Sequence, residues 1–202
     1  MESVRRVAEN TRTKLLQAGF EEIYVRGFQA ASVSNILKRT SLTRGAFFYH
    51  FPDKQTLGYA VLDEVIEGMI RAQWVVPLST STDPLSTIAE EFEKGVQYLA
   101  AQPVNLGCPL NNLAQEMSAL DQGFHERTSR IFELWVETYA SALERGKIAG
   151  VVRADVPASA TGLFLVAQIE GVLSLAKTTR DASVLRSGST TLKIFLESLR
   201  CD

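Results

Sequence analysis

Apolar positions recur along this chain with helical spacing almost from end to end. Between residues 11 and 26, Leu15, Leu16, Ala18, Ile23 and Tyr24 fall on one face, and Gly27 stands where a left-handed cap would end a helix. Gly19 inside that stretch costs about 1 kcal/mol against alanine, so tight packing is expected around it. Ser32 offers an N-cap to a short helix at 33–39, with Val33, Ile36 and Leu37 facing one way. A second short helix begins at 43 or 44 and stops by Phe51, because Pro52 disfavours helix at the residue before it. Asp53 caps a long helix predicted to end near Val76, ahead of Pro77. Further helices are read at 84–101, 109–118, 121–146, 158–178 and 181–199, with loops at 79–83, 102–107 and 150–157. Nothing alternates apolar and polar residues as a strand does, and no internal repeat is visible. The expected fold class is all-α, with a three-helix helix-turn-helix domain at 1–52 and a larger helical domain at 53–202.

Composition adds limits. With 202 residues, 46% of them hydrophobic, the chain can bury a sizeable core. No apolar run follows Arg5 and Arg6, so no secretory signal is read. The most apolar segment, 162–176, contains Gln168 and Glu170 and reads as too short to span a bilayer. The expectation is a cytoplasmic protein with no membrane partner. Cys108 and Cys201 lie far apart, so no disulfide framework is expected. The two histidines, His50 and His125, belong to no HExxH or ExxH motif, and no nucleophile elbow, phosphate loop or dinucleotide fingerprint occurs. No metal, no cofactor and no enzymatic activity are therefore expected; Glu116, Glu137 and Glu170 read as solvated, paired or pocket-lining acids.

Charge changes the picture more. The formal net charge is −2, but residues 1–54 hold nine Lys/Arg against five acids, and the rest holds twelve against eighteen. A basic first quarter on an acidic body suits contact with a polyanion through that quarter alone, though chance surface variation would look the same. The two short helices meet at a turn near Thr40-Ser41-Leu42, the geometry that sets a recognition helix into a DNA major groove. Pattern alone would also describe a helical protein–protein interaction module, which stands as the alternative.

The residues go further than the pattern. The string Arg44-Gly45-Ala46-Phe47-Phe48-Tyr49-His50-Phe51-Pro52-Asp53-Lys54-Gln55-Thr56-Leu57 resembles the recognition-helix signature of the TetR family of bacterial repressors. Residues 15–28 resemble that family's first helix and 30–38 its second; the likeness is strong over 11–62. Further on, 107–114 and 170–173 resemble one branch of its ligand-binding domains, marked by a Gly-Cys start to the sixth helix. The resemblance implies a regulator of transcription that binds double-stranded operator DNA as a homodimer and is released by a small-molecule effector. It implies DNA contacts from Ser32, Val33, Thr43, Arg44, Gly45, Ala46, Tyr49, His50 and Lys54. Gly45 suits close backbone approach, Arg44 a guanine edge or a phosphate, and Thr43 a phosphate at a helix N-terminus. Tyr49, His50 and Lys54 match family positions that contact phosphates, while Phe47 and Phe51 are read as core. Two departures stand out. Ser41 occupies a turn position where glycine is frequent, and Phe48 one where tyrosine is.

In the body, the resemblance implies a pocket for a small, mostly apolar effector. Met69, Trp74, Phe92, Val96, Phe132, Trp135 and Tyr139 are its expected apolar lining, with Asn111, Asn112, Gln115 and Gln168 for polar contacts. Plain core packing is the competing reading of each. Cys108, at a loop-to-helix junction, belongs to the same set: it reads first as a small buried hydrophobe and second as an electrophile sensor. The last two helices are the expected dimer interface, through Gly162, Leu165, Val166, Ile169, Leu173, Leu192, Phe195 and Leu196. The same residues would equally form an intramolecular core.

Overall fold

The computed structural model describes residues 2–102 and 105–201, with side chains from Ala8 onward. Pro103 and Val104, inside the loop expected at 102–107, lie outside the described residues. Among the described residues, nine helices follow one another: α1 Glu2–Arg26, α2 Val33–Thr40, α3 Arg44–His50, α4 at 54–79, α5 Pro84–Ala100, α6 Pro109–Met117, α7 Gln122–Ile148, α8 Ala158–Thr179 and α9 Ala182–Glu197. The all-α expectation holds. Among the described residues, extended pairing is limited to a single bridge between Val152 and Arg200.

Caps place the boundaries. Gly27 ends α1 at φ +81°. Ser32 accepts a bond from the Asn35 N–H, Thr43 from Ala46, Asp53 from Thr56 and Asp83 from Ser86, each satisfying an orphan donor of a first turn. Two bounds differ from expectation. Helix α1 starts at Glu2, well before residue 11. Helix α4 runs past Pro77 to Ser79 instead of stopping at Val76. The reason lies one turn upstream, where Arg71–Val75 is π-helical and the Val76 N–H bonds to the Arg71 carbonyl. A widened turn shifts the carbonyls with which a proline ring would collide. Val61–Ile66 forms a second π-helical stretch.

The chain divides into two compact units. The first joins Met1–Gly68 to Pro109–Ser129, so α6 and the start of α7 belong with the N-terminal helices. Its core contains Leu15, Ile23, Ile36, Phe47, Phe51, Leu57, Leu62 and Phe124. A Cβ on Gly19 would stand 2.8 Å from Leu57 Cδ2, which accounts for glycine there. The second unit joins Met69–Cys108 to Arg130–Asp202. Trp74, Leu85, Ile88, Trp135, Tyr139, Leu165, Ile169, Leu185 and Leu192 fill its interior.

Helix α8, with 22 residues, is long and apolar enough to cross a bilayer by length and composition, which corrects the shorter span read from 162–176. One side of it is committed to the core of its own unit: Thr161, Leu165, Val166, Ile169, Val172 and Ala176 are buried.

Candidate functional site

The helix-turn-helix is built by α2, the turn at 41–43 and α3. Ser41 takes φ 56° and ψ 22°, the left-handed conformation that glycine would adopt without strain. Its N–H bonds to the Leu37 carbonyl at 3.1 Å, and the Leu42 N–H to Thr40 Oγ1 at 3.3 Å, so the turn holds despite its Cβ. Phe47 and Phe51, 6.0 Å apart between ring centroids, point inward and are buried. The side chains on the other side of α3 face outward: Arg44 and Tyr49 are exposed, Tyr49 by 79%.

Gly45 is informative by what surrounds it. The nearest atom to a Cβ built there is Thr43 Oγ1, at 3.8 Å. Nothing in the fold requires glycine at this helical position, although it costs about 1 kcal/mol against alanine. Thr43 spends a lone pair on the Ala46 N–H at 3.2 Å and keeps its hydroxyl proton. Ala46 is half-buried, and His50, also half-buried, meets the Tyr49 ring edge-on at 4.9 Å. Ser32 and Val33 are half-buried at the start of α2, with the Ser32 oxygen used as the cap.

Lys54 departs from its expected role. Its ammonium donates to three backbone carbonyls, Phe28 at 2.8 Å, Gln29 at 3.2 Å and Ala31 at 3.0 Å, and lies 4.6 Å over the Phe28 ring. An ammonium has three protons, and all three are used. Lys54 therefore fastens the connection between α1 and α2, and its side chain is not set out toward a phosphate. The amides of the same connection are held from the opposite polarity: Glu116 on α6 accepts from the Phe28 N–H at 2.7 Å and the Gln29 N–H at 2.8 Å. Sequence reasoning read Glu116 only as a solvated, paired or pocket-lining acid and passed over these partners. It also passed over Glu22, whose buried carboxylate accepts from Asn35 at 2.8 Å and from Arg39 at 3.2 Å and pairs with Arg26. Arg12 pairs with Glu64 and lies 5.3 Å over the Phe51 ring, joining α1, α3 and α4; that bond holds the Glu64 carboxyl below its usual range.

The expected effector residues divide between the units. Asn111, Asn112 and Gln115 belong to the first, where exposed Gln115 reaches Asn111 at 3.5 Å and Asn112 lines a crevice with Phe20, Tyr24 and Ile66. The others belong to the second. There Trp74 stacks on Trp135 at 5.4 Å and meets the Tyr139 ring edge-on at 5.4 Å, all three buried. Phe92, Val96 and Cys108 are buried, Phe132 and Gln168 half-buried, and Met69 is exposed, so Met69 lines no interior in this structure. Glu170, read from the sequence as a solvated, paired or pocket-lining acid, was not placed in the expected lining. It is buried among apolar side chains, and burial pushes its pKa from 4.5 up to about 7, with the facing Cys108 thiol pulling it partly back.

Most of the residues expected at the dimer interface pack inside a single chain. Leu165, Val166, Ile169, Leu192 and Leu196 are at most 4% exposed within one chain. A Cβ on Gly162 would lie 2.9 Å from the Val136 carbonyl oxygen and 3.1 Å from the Ala140 nitrogen, so this glycine lets α8 approach α7. Leu173 and Phe195 are half-buried. The outward side of α8 is instead Leu163, Phe164, Ala167, Gly171 and Leu175, with Ile194 outward on α9.

Comparison with known proteins accords with this geometry. Residues 15–61 match the bacterial regulatory proteins of the tetR family, and residues 84–192 match the tetracyclin repressor-like C-terminal domain. A Lactococcus lactis HTH-type transcriptional regulator in the lacX 3′ region is 31% identical over 191 residues, 94% of this chain and 95% of its own length. The HTH-type transcriptional repressor DhaR of Mycobacterium sp. (strain GP1) is 26% identical, with 86% of each chain covered. A crystal structure of a TetR transcriptional regulator from Chloroflexus aurantiacus superposes with a TM-score of 0.87 at 25% identity, covering 98% of this chain and 100% of that one. The chain belongs to the TetR family and is a helix-turn-helix transcriptional regulator. With that, the interaction-module alternative and an enzymatic role both fall away.

Proposed function

We propose that this regulator is a cytoplasmic homodimeric repressor that holds operator DNA through α3 and lets go when a small-molecule effector occupies its C-terminal domain. The observation that carries the DNA half is the outward side of α3. Arg44 and Tyr49 are exposed, and a Cβ on Gly45 would make no contact tighter than an ordinary 3.8 Å to Thr43 Oγ1, so the fold does not ask for glycine there. A helix glycine with no steric reason inside the molecule points to close approach from outside it. Arg44 would read a base edge or a phosphate, Gly45 and Ala46 would let the helix axis near the groove floor, and Thr43 and Tyr49 would donate to phosphates. Ser32 and Val33 would touch the backbone from the start of α2, and His50 would either join them or brace Tyr49. The functional division at 1–52 and 53–202 follows this assignment.

The dimer half rests on α8 and α9. An outward stripe of Leu163, Phe164, Ala167, Gly171 and Leu175 is apolar surface of the kind an obligate interface buries. Two-fold symmetry would then set two recognition helices on half-sites about 34 Å apart. Repression is favoured by the DhaR relative, which is described as a repressor.

The test is binding to a duplex taken from the chain's own promoter region, measured across salt concentrations. Arg44→Ala should weaken specific binding at least tenfold and lower the salt slope by about one unit, as the loss of a phosphate contact does. Lys54→Met should weaken binding by loosening the fold while leaving the slope unchanged. Wild-type binding no tighter to the promoter duplex than to random DNA would end the reading.

A further inference from the structure

The apolar interior of the second unit holds polar atoms that are poorly answered. Neither oxygen of Glu170, nor the Tyr139 hydroxyl, nor the Trp135 indole nitrogen has a hydrogen-bond partner of normal geometry among the described residues. Glu170 is 8% exposed, Tyr139 0% and Trp135 1%. The groups are neighbours, because Tyr139 feels both the Glu170 charge and the Trp135 N–H, and Glu170 faces Cys108. Among the described residues no lysine or arginine pairs with the carboxylate. A buried carboxylate faced by a thiol, with no cationic partner among the described residues, is costly and calls for something that completes it.

Beside it lies an aromatic cluster. Trp74 and Trp135 are stacked at an interplanar angle of 21°, and Tyr139 stands at 89° to the first and 71° to the second. Trp74 is carried by the π-helical stretch Arg71–Val75. Such a turn spends an extra residue to redirect a side chain, and it recurs where a site demands that placement. Ring faces attract cations and a carboxylate supplies the countercharge.

We propose that this cluster binds an organic cation with an apolar body, the charge held between Glu170 and the rings of Trp74, Trp135 and Tyr139. An anion would meet the carboxylate, and a neutral hydrocarbon would leave its oxygens unanswered. The inference deepens the effector reading above by naming the chemical class of the effector, and it rests on that reading for its regulatory meaning. Among the described residues, the titratable groups facing Glu170 are Tyr139 on α7 and Cys108 in the segment before α6; burial holds the Tyr139 hydroxyl neutral. The site's response near neutrality is therefore that of Glu170, whose pKa stands at about 7. A cation favours the ionised carboxylate, so its affinity falls about tenfold for each pH unit below that value.

The chain's two tryptophans are both in the cluster, so tryptophan emission reports on this site alone. The probes are phenyltrimethylammonium and tetraphenylphosphonium, with tert-butylbenzene as the neutral isostere of the first, added to the full-length protein. Saturable quenching by the cations is expected, about tenfold tighter at pH 8 than at pH 6. The neutral isostere should bind at least tenfold more weakly, with no pH dependence. Glu170→Gln should flatten the pH dependence and weaken the cations at least tenfold at pH 8, whereas Tyr139→Phe, which keeps the carboxylate, should retain it. Equal binding of cation and isostere, no saturable cation binding, or a pH dependence that survives Glu170→Gln overturns the inference. Operator binding measured in parallel separates the two readings. Cations that bind as described without releasing operator leave the site standing and refute its regulatory role; an operator complex that forms while no cation binds refutes the site alone.

Discussion

Gly45 and Glu170 carry opposite signatures of function at the scale of one residue. Gly45 is a local cost with no steric cause in the fold, so Gly45→Ala should raise the stability of the free protein by about 0.5–1 kcal/mol. The same change should weaken operator binding at least tenfold; chemical denaturation beside a binding titration reads both, and undiminished operator affinity would refute close approach at this position. Glu170 is a cost with a pH window. Burial raises its folded-state pKa from 4.5 to about 7, so the stability tied to its proton is whole below pH 4.5 and is lost as pH rises through 7. The swing is about 3 kcal/mol. Thermal unfolding of Glu170→Gln should show a higher Tm than the parent at pH 8 and nearly the same Tm at pH 4.5, and matching curves at pH 8 would mean the carboxylate is not costly. Both residues were visible in the sequence, and both sat inside strings that resemble the family, Gly45 in the recognition helix and Glu170 at the start of 170–173. Glu170 signalled itself as a lone acid in an apolar helix, in phase with Val166, Ile169 and Leu173, and that phase is what marks it as inward. Lys54 was legible as a charge of the signature but not as a clamp, because its three acceptors lie 23 to 26 residues away.

At the scale of elements, caps and periodicity read most helix ends to within a few residues, since Ser32, Thr43, Asp53 and Asp83 act locally. Two things escaped. The π-helical stretches of α4 leave no mark in a period of 3.6 residues, and the continuation through Pro77 depends on one of them. The other is the rotation of α8. A helix apolar on nearly every side gives no phase, so its core positions and its outward stripe looked alike. Once the phase is known, the two sets should behave differently. Phe164→Glu should leave secondary structure intact and shift the protein toward monomer in sedimentation equilibrium, with loss of operator binding. Leu165→Ala, at a fully buried position, should cost about 2–5 kcal/mol in unfolding free energy without a primary effect on assembly. A Phe164→Glu protein that remains dimeric would place the interface elsewhere.

For the whole molecule, the basic first quarter and the acidic remainder were plain in the sequence, and the family signature supplied the architecture. The composition of the first unit was not, because it recruits Pro109–Ser129 from far along the chain. Glu116, from that recruited segment, holds the amides of Phe28 and Gln29, and Lys54 holds the neighbouring carbonyls. This fastening bears on how the molecule can be taken apart and rebuilt. A fragment cut after residue 52 would lose the side chains on both sides of the α1–α2 connection, together with the Phe124 ring that packs on Phe28 at 4.6 Å. The DNA-reading head is therefore a poor module for transplantation: a chimera that gives this operator specificity to another regulator has to carry residues 109–129 with it, as a second graft from the middle of the chain.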